Sequence, residues 1–470
     1  MAIFFTEGEV KNRPGVYQRH TNVGHTKPAA ANDGICAIPV QAMWGPLGKV
    51  LKNNSATDLK NNYGSGTYGS GYTVPAAAAM FNAGASTVYT YRLGTGGKQA
   101  SKEMDGLTVT AKYPGTMPIS VAVQAKLGDA SKKQFLVYVG TAQAEIWEFA
   151  ADTKTEGANL IAAAANSKYV TVTGEAAAVA ALAVASGALT GGENPTVTNE
   201  DYSNAFAALE VSYYNVITLD VDDDADMTLS LLLQEYLSGA YQYGKLGMAV
   251  VGQKTTVPFE DRLANAAMFN DAKVVYLLGG YMAGNENKDG VLSICRAAGD
   301  IAKTPSNKAI THAVIEDATD LCETLTFAQY TAAISAGALA LSKSSEGEIW
   351  YDSGINTLTN PEPGTQDAGW KKIKRTKTRF ELIDRLDRAL NPKVGRVPAD
   401  SDGIADIIQT GQRVLDAMVT ERKLRDGAVF MEDTEHPYDG DSAYFVIQAD
   451  DIDSLEMIYL QYQFRYSQNA

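Results

Sequence analysis

The chain has 470 residues, of which 45% are hydrophobic and 20% charged, and its net charge is −15. That length exceeds one ordinary core, so about two to four domains are expected, and the apolar content excludes a disordered chain. The acidic balance argues against a general nucleic-acid binder, and three scattered cysteines, Cys36, Cys295 and Cys322, make no disulfide framework and fit a reduced, cytosolic site of synthesis.

The first twenty residues read as an extended arm. Ile3, Phe4 and Phe5 are apolar, but Gly8 and Arg13-Pro14-Gly15-Val16-Tyr17 oppose a helix. With Glu7 and Glu9 and no basic start, the segment is no targeting signal. Gly34 to Val40 reads as a strand, Trp44-Gly45-Pro46 as a loop, and Asn61 to Thr73 as a Gly- and Asn-rich loop. Pro75 opens an alanine-rich helix that Gly84 closes, and Thr87 to Arg92 is a strand. Glycine linkers at 94–97 and 186–195 bracket an insertion. It holds strands at Leu107–Ala111, Ile119–Val123 and Phe135–Val139 together with alanine-rich helices.

From Asp201 to Leu341 strands and helices alternate. Strands are expected at Tyr213–Asp220, Leu246–Gly252 and Val274–Gly279, and helices at Met227–Tyr241 and Phe259–Asp271. Ile373 to Phe380 alternates as a strand would, and Phe380 to Leu390 is helical. Ile404 to Arg425 has one apolar face, with Asp402 as its cap, Arg422, Lys423 and Arg425 at its negative end and Gly427 as its stop. Short strands follow at Phe430 and at Tyr444–Gln448. The final segment alternates most clearly: Ile458, Leu460, Tyr462, Phe464 and Tyr466 on one face, Tyr459, Gln461, Gln463 and Arg465 on the other. Two extended, partly apolar arms can complete sheets in their own subunit or in neighbours.

Motifs for small-molecule chemistry do not hold up. Gly64-Ser65-Gly66-Thr67-Tyr68-Gly69 matches the dinucleotide pattern literally, but it follows no apolar strand, and the next acidic residue is Glu103. The cluster Asp220, Asp222, Asp223, Asp224 and Asp226 has Met227 and Leu233 where a calcium loop needs glycine and glutamate, so it reads as acids at a helix start. The four histidines form no zinc pattern, and no GxSxG elbow or phosphate-cradling loop occurs. No cofactor, metal site or catalytic residue is expected. One charge feature is sharper: Lys371, Lys372, Lys374, Arg375, Lys377 and Arg379 fall within nine residues of an acidic chain. They are solvated decoration or a contact for an acidic partner surface, with nucleic acid as a third option that the neighbouring acids Asp367, Glu381, Asp384 and Asp387 oppose.

Several short stretches lie in a telling order. They are Arg13-Pro14-Gly15-Val16-Tyr17; Phe81-Asn82-Ala83-Gly84 running into Val88-Tyr89-Thr90-Tyr91-Arg92; Ala111-Lys112-Tyr113-Pro114-Gly115-Thr116; Leu189-Thr190-Gly191-Gly192; and Gly354-Ile355-Asn356-Thr357-Leu358-Thr359. Through them the chain resembles the contractile tail sheath proteins of phages and phage-tail-like (R-type) bacteriocins. It departs where Met117-Pro118-Ile119 stands in place of the Trp-Gly-Asn that often follows the PGT motif.

The resemblance implies an α/β multidomain protein. A discontinuous α/β core (21–98 and 199–348) would carry an inserted, outward β-rich domain (99–198). An α+β C-terminal domain (349–470) would lie next to the inner tube, its sheet completed by arms of neighbouring subunits: the N-terminal arm (1–20) and a terminal strand arm (454–470). Arm residues would be Phe4, Phe5, Val16, Tyr17, Ile458, Leu460, Tyr462, Phe464 and Tyr466, with hinges at Gly8, Gly15 and Ala449 to Asp453. Tube-facing candidates are the six cations of the basic run with Arg422, Lys423 and Arg425. Partners would be further copies in a stack of six-fold rings, a tail tube protein, and baseplate and tail terminator proteins, with no direct nucleic acid and no membrane insertion. The protein would assemble in the bacterial cytoplasm and end in a virion tail or a released particle. It would be a structural part, not an enzyme, that contracts to drive the tube through a cell envelope. A cytosolic α/β enzyme with an inserted β domain, which needs a pocket with convergent polar groups, and a binding module built on the basic run are the alternatives.

Overall fold

The computed structural model describes residues 33–69, 71–152, 154–175, 179–222 and 226–464, and the backbone of two short strands, Ile3–Phe4 and Tyr17–Gln18, ahead of them. The centre is an eight-stranded sheet. Its spatial order is Ile349–Tyr351, Ala338–Lys343, Val274–Leu278, Met248–Gln253, Val216–Thr218, Ile35–Val40, Thr87–Arg92 and Val50–Asn53. The six inner strands are parallel and the two outer ones antiparallel. Val274–Leu278 and Met248–Gln253 are buried at every position, as strands covered on both faces must be.

One apolar cluster lies on each face of this sheet. The first is filled by the helices Ala56–Tyr63, Val74–Ala83 and Val291–Lys303 and by Ile373 and Phe380. The second is filled by Asn199–Leu209, Thr228–Gln242, Phe259–Phe269 and Phe327–Ala336. Val74–Ala83 and Val291–Lys303 touch nearly backbone to backbone: a Cβ on Gly299 would meet the Met80 carbonyl at 2.7 Å.

The expected strand Ile35–Val40, the helix closed by Gly84 and the strand Thr87–Arg92 are present. Asn61 to Tyr63 is a correction: it ends the helix Ala56–Tyr63, and the loop begins at Gly64. That helix starts on Ser55, whose side chain accepts from Asp58 N, a cap the composition of the following loop obscured.

The insertion packs two sheets around their own apolar cluster. One has four strands (Ala142–Ala150, Lys132–Val139, Ile119–Ala125, Ala185–Ala188), the other three (Val170–Gly174, Leu107–Ala111, Ser101–Met104). The chain enters and leaves side by side, through bridges Thr95↔Thr196, Lys98↔Glu193 and Ser101↔Thr190. Its α-helix is Glu156–Ala163, and the alanine-rich residues 179–184 are not helical.

After the sheet, the prediction of a strand at Ile373–Phe380 fails: those residues begin a helix that runs Ile373–Leu390. A second long helix, Ser401–Thr420, is capped by Asp400 rather than Asp402 and stops before Arg422, whose φ of 58° breaks the helical path well ahead of Gly427. These two helices and the hairpin Val429–Glu432/Phe445–Gln448 share a fourth cluster around Leu415, Met418 and Phe430.

Candidate functional site

An open parallel sheet binds ligands where its strand order reverses, at the carboxyl ends of the strands. Here the reversal falls between Ile35–Val40 and Val216–Thr218. The chain's own side chains fill that position. Asp220 is buried and accepts from the Thr73 hydroxyl at 2.8 Å and the Tyr202 hydroxyl at 2.7 Å. Burial raises its carboxyl above the usual range, against the pull of those hydrogen bonds. Asp222 accepts from Val291 N, the first residue of the helix Val291–Lys303, at 2.8 Å and pairs with Lys254 at 2.7 Å. An internal carboxylate thus holds the helix end where a phosphate would sit in a nucleotide enzyme. The GxGxxG stretch follows the helix Ala56–Tyr63, not a strand. Among the described residues no group of acids, histidines and cysteines is arranged to hold a metal, and no helix is long and apolar enough to cross a membrane.

Away from the carboxyl ends of the strands, an open cleft of about 440 Å³ is lined by Tyr213, Tyr214, Tyr243, Asp384, Asp387 and Arg388. Burial raises the Asp384 carboxyl, opposed by Arg388, which holds it as an ion pair.

Ile3 and Phe4 pair in parallel with Tyr17 and Gln18, which brings the two ends of the N-terminal arm together. Phe5, Val16 and Tyr466 lie outside the described residues, as do the side chains of Phe4 and Tyr17. Residues 452–464 have no strand partner and form no strand, contrary to the alternation of the sequence. Ile458, Leu460, Tyr462 and Phe464 are 70%, 70%, 73% and 94% exposed, and Tyr459 on the opposite side is 88% exposed. Alternation only becomes a half-buried strand when it joins a sheet edge, and among the described residues no edge pairs with this segment.

The basic run is placed differently from its reading as an open charged surface. Lys374 and Lys377 point inward. Lys374 donates to the Ile452 carbonyl at 2.7 Å. Lys377 donates to the carbonyls of Ile301, Ala302 and Thr304 at the end of the helix Val291–Lys303, and burial lowers its ammonium to about 8. Arg375 grips Asp451 with two bonds of 2.7 and 2.6 Å. Arg379 reaches Asp451 and Asp367 and lies over the Trp370 ring. Lys372 pairs with Asp453 and Glu456, and Lys371 is half-exposed. Lys423 is buried between Glu381 and Glu421, whereas Arg422 and Arg425 are exposed. The sequence could not pair Arg375 with Asp451 or Lys374 with the Ile452 carbonyl, because those partners lie 76 and 78 residues away along the chain.

Two of the motif stretches also find a physical reason. Arg92 is fully buried and donates to the carbonyls of Ala42, Gly45 and Pro114, so it ties the central sheet to the entry of the insertion. Asn356 donates to Ala272 and Trp370 carbonyls, and Thr357 N donates to Val274, which staples the sheet to the start of the basic helix.

Residues 195–357 match the phage tail sheath protein central domain. The uncharacterized protein YqbK of Bacillus subtilis (strain 168) is 26% identical over 240 residues, covering 47% of this chain and 49% of that protein. The match to curated relatives thus spans about half of their length. Among solved structures, the sheath tail protein of Desulfitobacterium hafniense superposes with a TM-score of 0.71 at 20% identity, over 93% of this chain and all of that one. The contracted helical sheath of the anti-feeding prophage gives 0.55 at 12% identity, over 97% of this chain and 99% of that one. Residues 195–357 are thus similar to the phage tail sheath central domain, in a chain whose fold is that of the solved sheath proteins.

Proposed function

We propose that this chain is the structural sheath subunit of a contractile tail or tail-like particle. Copies polymerise around a tail tube, and the assembled sheath shortens by rotation and repacking of its subunits, driving the tube into a target envelope. The observation that carries this reading is the combination of a match to a sheath central domain with an apolar segment, 457–464, that has no strand partner among the described residues. A bare strand-forming segment is satisfied by addition to a sheet edge, and here a second copy is the natural host. Contraction then needs no nucleotide, since contacts formed in the shortened state supply the free energy and a kinetic barrier holds the extended one. The filled position at the strand-order reversal supports a structural rather than an enzymatic role.

In this reading the C-terminal part lies next to the tube, the insertion points outward, and a baseplate and terminator close the two ends. The exposed Arg422 and Arg425 and the half-exposed Lys371 are the candidates to face an acidic tube, because Lys372, Lys374, Arg375, Lys377, Arg379 and Lys423 serve contacts inside the chain. Negative-stain microscopy of the purified full chain tests the proposal. Cylinders of repeating rings are expected, and a chain that stays monomeric at all concentrations overturns it.

A further inference from the structure

The basic helix Ile373–Leu390 begins with its charges the wrong way round. Lys372, Lys374, Arg375 and Lys377 sit at the end where the helix dipole is positive, and no side chain caps it. The anions that favour such an end come from the far side of the sequence. Asp451 bonds Arg375 at 2.6 Å and Arg379 at 3.3 Å, and Asp453 and Glu456 bond Lys372 at 2.8 and 3.0 Å. The backbone joins in: Ile452 N donates to Lys423 O at 3.0 Å, Arg425 N donates to Asp450 O at 2.8 Å, and Lys374 Nζ donates to Ile452 O. Glu456 also accepts from the Thr311 hydroxyl at 3.0 Å. Directly beyond it, Met457 and Ile458 are more than two-thirds exposed.

We propose that the basic run and the acidic stretch 450–456 form a charge clamp that fixes where and in which direction the C-terminal segment leaves the body. The movable joint then begins after Glu456, not within Ala449 to Asp453. The clamp deepens the sheath reading, on which its purpose rests, by assigning a role to charges that the sequence left between decoration and partner contact. Charge-assisted, two-pronged contacts suit this task, because they set a direction as well as a distance. The network is half-buried, so it is screened by salt less than a surface pair but more than a core one. Burial raises the Asp451 carboxyl, and the two guanidiniums more than reverse this, leaving it below the usual range.

Hydrogen exchange on the full, unassembled chain tests the clamp. In the variant Asp451→Asn/Asp453→Asn/Glu456→Gln the amides of Ile452 and Arg425 are expected to exchange roughly tenfold faster or more, as in a locally opened segment, while Val275–Leu277 in the sheet stay protected. In the unsubstituted chain, raising NaCl from low salt to about 1 M is expected to speed the same two amides, and to leave the variant unchanged. Unchanged exchange at Ile452 and Arg425 in the variant overturns the clamp, and so does a rise that spreads equally through the sheet. The outcome is independent of assembly. A chain that never forms cylinders sinks the sheath reading alone, and an unchanged amide sinks the clamp alone.

Discussion

Arg92 shows how much one side chain can organise. Its guanidinium meets three carbonyls from two separate turns, Ala42 and Gly45 on one side and Pro114 on the other. Burial lowers it to about 10, still charged at neutral pH. Replacing Arg92 by Met leaves those carbonyls buried without a donor. A loss of about 2–5 kcal/mol in urea unfolding is expected, with Arg92→Lys losing less because it keeps a charge and part of the bonding. A change within 0.5 kcal/mol, or about the noise of a surface site, would show that water replaces the guanidinium at no cost. The sequence made Arg92 visible as the end of a strand and of a motif. It could not show the task, since the acceptors come from positions 42, 45 and 114.

Elements were readable where the sequence carries an apolar run, helix punctuation or a single apolar face. The strand Ile35–Val40, the alanine-rich helix Val74–Ala83 between Pro75 and Gly84, and the helix Ser401–Thr420 have such signals. The basic helix does not. Chain surrounds its first two turns, so Lys374, Thr376 and Thr378 are as buried as Ile373 and Phe380, and the period of 3.6 vanishes into an apparent alternation. Its end is held by Arg385, which takes both oxygens of Glu421 at 2.9 and 2.7 Å. The Arg385 hydrogen bonds, helped by Lys423, pull the Glu421 carboxyl down to about 2. A depressed folded-state value means that the pair stabilises fully above the ordinary carboxylate range and ceases to as pH falls from about 4.5 towards about 2. Glu421→Gln should therefore lower Tm at pH 7, and the gap to the unsubstituted chain should close across that acid window. A gap that is independent of pH would mean that shape, not charge, makes the contact.

At the scale of the molecule, the body and the C-terminal segment divide the work. The body has its cores around the sheet, in the insertion and between the last helices, and none of them includes residues 457–464. A chain ended after Met457 keeps every partner of the clamp, so it is expected to fold with unchanged Tm yet to form no cylinders under conditions where the full chain does. Cylinders of normal yield from the shortened chain would move the assembly function elsewhere. The same bare segment has a practical side. Tyr459, Tyr462 and Phe464, left in water, will stick to any exposed strand edge or oily surface they meet. Freshly made copies are thus poor material to stockpile, and how concentrated a stock stays clear is set by a few terminal side chains more than by the stability of the fold behind them.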